Sequence, residues 1–115
     1  MIEEVILKYL SENLAEPVYL ERPKKLDPEY YLIEKVGGSM SDRLFSSMVA
    51  IQSVSTSFLG AVEMNERLIQ AMLGDDGGIL TCPEVSGVDL NGNNNNTDPE
   101  SHEYKYQALF EINHY

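Results

Sequence analysis

The sequence predicts an α+β fold: a mostly antiparallel sheet of four to five strands with two helices packed on one face. Three observations lead there. In two stretches, one from Ile2 and one from Phe58, apolar residues recur at spacings of three and four, the period of an amphipathic helix. In the last stretch, Tyr104 to His114, apolar and polar residues alternate, the period of a strand with one buried face. The order of these elements also offers too few strand–helix–strand crossovers for a parallel sheet. With 115 residues the chain is bounded to a single domain, residues 1–115, around one modest core.

The elements follow in chain order. Residues 2–14 form the first predicted helix, with Ile2, Val5, Ile6, Tyr9, Leu10 and Leu14 on its apolar stripe and Glu3 and Glu4 in its first turn, where negative charge suits the helix dipole. Pro17, Pro23 and Pro28 bracket a short extended piece, Val18 to Arg22. Tyr30 to Val36 is rich in aromatic and β-branched residues and reads as a strand, which Gly37-Gly38-Ser39 should end by freeing the backbone to turn. Leu44 to Ser55 is the second strand of that antiparallel hairpin, with Met48, Ala50 and Gln52 on one face and Val49, Ile51 and Ser53 on the other.

Thr56 or Ser57 is positioned to cap a second helix over Phe58 to Leu73. The stretch from Gly74 to Gly78 should stop it, with glycine just past the helix end. Ile79 to Leu90 reads as a further strand, interrupted at Pro83 or Gly87. Asn91 to Pro99 reads as a polar loop. Tyr104, Tyr106, Ala108, Phe110, Ile112 and His114 then form the inward row of the last strand.

Composition narrows the function classes. Hydrophobic residues make up 43 % of the chain, enough for a packed core. No apolar run approaches the roughly 20 residues that span a bilayer. The N-terminus opens on acids and is interrupted by Lys8 and Tyr9, unlike a secretory signal, so the expectation is a protein of the cytoplasm that leaves it only by lysis. Asp and Glu number 19 against 8 Lys and Arg, a formal charge of −11. That field repels nucleic acid, and the only basic cluster is Arg22, Lys24 and Lys25. It suits a surface that DNA must slide past without sticking.

Motifs for catalysis are not found. Gly37-Gly38 lacks the further glycine and lysine of a phosphate loop. The single Cys82 reads as a small half-buried residue. One cysteine and two histidines, His102 and His114, do not make a zinc site of usual type without carboxylate help. His114 reads as a satisfied histidine at a sheet end. The acid pairs Glu3-Glu4 and Asp75-Asp76 sit at helix ends or turns, where solvated acids are ordinary. Asp89, Asn91, Asn93 and Glu100 occupy positions 1, 3, 5 and 12 of a calcium-loop template. Against that, Asn94 stands where the template needs glycine, Pro99 occupies position 11, and the flanks read as strands, so a hairpin loop is expected. No cofactor, metal or catalytic residue is assigned.

One stretch carries a family resemblance. Tyr30-Tyr-Leu-Ile-Glu-Lys-Val-Gly-Gly38, a polar turn, the strand Leu44 to Ser55 and the amphipathic helix after it resemble the core of the phage tail terminator (tail completion) family. The N-terminal helix and the two C-terminal strands extend the resemblance in element order over nearly the whole chain. The stretches Gly74 to Gly78 and Asn91 to Asn96 are long and polar and depart from that pattern.

The resemblance implies a structural virion protein, not an enzyme. It implies a homo-oligomeric ring, a hexamer, on the head-proximal end of the tail tube. The ring stops tube polymerisation and presents a surface for joining the head. DNA passes through its channel without specific binding. The implied partners are other copies of the chain, the tail tube protein and a head–tail connector protein, with no membrane. The implied location is the virion tail, after assembly in the host cytoplasm. Gly37, Gly38, Ser39, Met40 and Arg43, with the first helix, are the candidate contacts to neighbours. The rival readings are another connector subunit, from the neck or head closure, a small partner-binding regulatory protein and, last, a small hydrolase, for which no nucleophile–base pair is found.

Overall fold

The computed structural model describes residues 2–22, 27–41, 44–74, 77–97 and 103–115. The order is α1 (Ile2–Asn13), β1 (Val18–Tyr19), β2 (Tyr30–Ser41), β3 (Leu44–Ser55), α2 (Phe58–Leu73), one 3₁₀ turn (Gly78–Thr81), β4 (Val85–Asn95) and β5 (Tyr104–His114). The strands form one sheet in the order β1-β2-β3-β5-β4. All neighbours are antiparallel except β1, which runs parallel to β2 over two residues. This is the α+β architecture that the sequence predicts.

The core lies on one face of the sheet. Tyr31 and Ile33 of β2, Val49 and Ile51 of β3, and Ala108, Phe110 and Ile112 of β5 alternate inward, as period two requires. Against them pack Ile2, Ile6 and Leu10 of α1 and Met64, Leu68 and Met72 of α2. Both helices therefore cover the same face. Two phenols tie α2 in place: Tyr31 Oη donates to the Met64 carbonyl at 2.9 Å, and Tyr9 Oη donates to the Ala71 carbonyl at 2.6 Å. Burial holds the Tyr31 hydroxyl far above the usual phenol range, so it stays a donor at any ordinary pH. Ser57 caps α2, its Oγ accepting the Gly60 N–H at 3.0 Å.

Three expectations are corrected. Gly37-Gly38 does not end β2. The strand continues to Ser41, with a bulge between Lys35 and Gly37 that absorbs the irregularity. Gly38 is needed for close approach: a Cβ there would lie 2.9 Å from the Ser46 carbonyl oxygen across the hairpin. The segment Ile79 to Leu90 is not one strand. It begins as the 3₁₀ turn, which two left-handed glycines, Gly77 and Gly78, set up, while Gly74 itself leaves α2 with an ordinary negative φ of −57°. The asparagine run is not a loop, because β4 holds strand geometry to Asn95. Asparagine has poor strand propensity, but β5 offers a regular template, and Asn93, Asn94 and Asn95 pair with Ala108, Gln107 and Tyr106.

Candidate functional site

The β2–β3 hairpin reaches its last pairs, Met40 with Phe45 and Ser41 with Leu44, at the end of the sheet where β5 stops. Phe45 is paired with His114 near the end of β5, and Met40 with Phe45. Val36, Met40 and Phe45 are 59 %, 63 % and 41 % exposed. Large apolar side chains exposed together at the end of a hairpin form a candidate contact surface.

The sequence's candidate residues fall here. Gly37, Gly38, Ser39 and Met40 line a cleft of about 490 Å³ together with Lys35, Phe45 and Ser47. Arg43 lies outside the described residues, as do Glu100, His102, Asp75 and Asp76. The N-terminal turn of α1 joins this end through a second cleft of about 330 Å³, lined by Ile2, Glu3, Val5, Lys35, Phe45, Glu84, His114 and Tyr115. Sequence reasoning missed Val36, Phe45 and Tyr115 as members of this surface.

At the root of the hairpin Ser47 and His114 meet, with Ser47 Oγ 2.7 Å from His114 Nε2. His114 Nδ1 faces the Tyr115 carbonyl oxygen at 3.4 Å. A carbonyl only accepts, so Nδ1 carries the proton and Nε2 accepts from the serine hydroxyl. Phe45 stacks on the imidazole, ring centroids 5.4 Å apart. A hydroxyl on an imidazole is the first half of a nucleophile–base pair. Here Ser47 is only 1 % exposed and His114 7 %. The far ring nitrogen meets a backbone carbonyl in place of an orienting carboxylate. The geometry satisfies two buried polar groups and locks β5 to the hairpin.

That arrangement has a pH signature. Burial lowers the His114 pKa below its ordinary 6.5; the Tyr115 carbonyl and Glu3 oppose this, while Lys35 reinforces it. The unfolded chain therefore takes up the proton first as pH falls. His114's contribution to stability is complete above about pH 6.5 and declines as pH falls from there to the depressed folded pKa. Denaturant midpoints measured from pH 7.5 down to pH 5 should fall more steeply for the wild type than for His114→Gln. Equal slopes for the two proteins would remove His114 from the account.

The remaining motifs are quiet. Asn91 donates to Glu111 Oε2 at 3.1 Å and Ser46 to Glu111 Oε1 at 3.0 Å, so the calcium template's middle residue is held on the sheet surface. Among the described residues no three His, Cys, Asp or Glu side chains converge on a metal position. Cys82 is half-buried, and burial, with Glu84 and Glu12 nearby, pushes its thiol up, away from the reactive thiolate. No described helix is long and apolar enough to cross a membrane. A second exposed apolar cluster, Phe58, Leu59 and Tyr104, sits at the other end of β5, with Phe58 in edge contact with Tyr104.

No family model matches the chain, and no curated protein matches it significantly.

Proposed function

We propose that this chain is the subunit of a ring that caps the head-proximal end of a long-tailed phage's tail tube, halts its polymerisation and helps join tail to head. The observation that carries this reading is the apolar end of the β2–β3 hairpin: exposed Val36, Met40 and Phe45 around Gly37-Gly38. The order of elements agrees with the tail terminator resemblance in its N-terminal helix, long hairpin, second helix and C-terminal strand pair. The charge of −11 suits a ring through which DNA passes without being gripped. We read the protein as non-catalytic, since its hydroxyl–imidazole pair is buried and occupied with structure.

Light scattering and negative-stain microscopy of the purified protein, alone and with tail tubes, test the reading. The expected result is a closed ring, or a ring that forms on the tube tip, and tubes that stop growing when the protein is added. A protein that stays monomeric in both settings and never halts a tube overturns it.

A further inference from the structure

We propose that neighbouring copies join by continuing the sheet, the outer edge of β2 in one copy pairing antiparallel with the outer edge of β4 in the next. The proposal rests on the ring reading above and specifies how its subunits meet.

The first ground is the pair of open edges. β1 covers only Tyr31 and Leu32 of β2, leaving residues 33–41 with no strand beside them among the described residues. β4 is the other outermost strand, and its outer edge over 85–95 is likewise uncovered among the described residues. The backbone groups on these edges can be placed. The Tyr31 N–H reaches outward to the Pro17 carbonyl, so by alternation Ile33 and Lys35 also point their N–H groups outward. The Asn96 N–H reaches inward to the Lys105 carbonyl, so Asn93 and Asn95 point outward. An edge of this length is a template for another strand.

The second ground is polarity. β2 is antiparallel to β3, β3 to β5 and β5 to β4, so β2 and β4 run in opposite directions. Copies related by a rotation that sets β4 beside β2 therefore meet antiparallel. This is a heterologous contact, the kind that closes into a ring. β2 is bulged between Lys35 and Gly37, and β4 between Val85 and Gly87 and again between Leu90 and Gly92. Setting Glu34 against Gly92 and Gly37 against Asp89 places the β2 bulge across from the second of these. It also keeps Lys35 and Leu90 on the helix-covered face.

Two variants test this: Lys35→Pro and Asn93→Pro. Each deletes one outward N–H and leaves the internal ladder intact. Circular dichroism and thermal melts check the fold, and light scattering gives the mass. Wild type should assemble, alone or on tubes. Each variant should be folded and at least tenfold weaker in assembly. Mixed in equal amounts, the two should form a dimer and nothing larger, because each retains the one edge that the other has lost. Should a proline variant unfold, Met40→Lys and Asn93→Lys, which place a charge on the same edges, take its place. Assembly unchanged in either variant, or a mixture that stays monomeric, overturns the edge pairing and leaves the tail-cap reading standing. A wild type that never assembles, alone or on tubes, overturns both.

Discussion

Replacing Phe110 by alanine is expected to destabilise the protein by about 3–5 kcal/mol, a large share of the stability of any small domain. Phe110 is fully buried at the centre of the core-facing row, between Val49 of β3 and Leu90 of β4. Its ring lies in the cluster that both helices pack onto. Truncation removes the transfer energy of the ring and leaves a cavity bounded by a hydrogen-bonded sheet, which cannot collapse far. The neighbouring Leu109→Ala, on the opposite and half-buried face, should cost clearly less. Urea denaturation of the two variants checks the pair. Equal losses would mean that the row of alternate residues in β5 is not the core.

Gly78→Ala is expected to cost at least about 2 kcal/mol. Gly78 is buried with φ of +55°, in the left-handed region, which already costs an L-residue. A Cβ there would lie 2.1 Å from the Met72 carbonyl oxygen. That oxygen belongs to the last turn of α2 and is fixed by the helix, so relief requires moving backbone. Gly77→Ala makes the comparison sharp. Gly77 has φ of +100°, but its Cβ would meet nothing closer than Thr81 Cγ2 at 3.5 Å. Gly78→Ala should therefore lower the melting temperature more than Gly77→Ala. The reverse order would show that backbone conformation alone sets the cost and that the contact with Met72 adds nothing.

These two positions also show what could be read before the fold was known. The place of Phe110 was legible from the alternation over 104–114, which Leu109 alone interrupts; burial follows it from Ala108 to His114, whereas Tyr104, expected inward, is exposed. The bounds of α2, Phe58–Leu73, follow likewise from local periodicity and a capping serine, while β3, Leu44–Ser55, was legible as a β-branched and apolar run without a clean period. The role of Gly78 was not legible. Five residues with three glycines at 74–78 signal a helix stop, but which glycine takes a positive φ depends on how the chain returns to the sheet.

The candidate site divides the same way. Gly37-Gly38 stood out in the sequence, yet its local meaning, a turn, was overridden. β3 runs alongside as far as Leu44, and pairing with it extends β2 through the glycines to Ser41. The Asn91 to Asn95 stretch was overridden likewise by the edge that β5 presents. The Ser47–His114 contact joins residues 67 positions apart and leaves no trace in local pattern.

By itself the sequence determined the fold class, the two helices, the hairpin's second strand and the last strand. Their hydrophobic periodicity encodes which face is buried, and it does so within each segment. Only the tertiary structure decided how far β2 and β4 extend, which residues stand exposed near the hairpin's end, and that two strand edges of opposite direction lie open among the described residues. Strand length and edge exposure depend on which partner strand lies alongside, and that information is carried by pairing between distant segments.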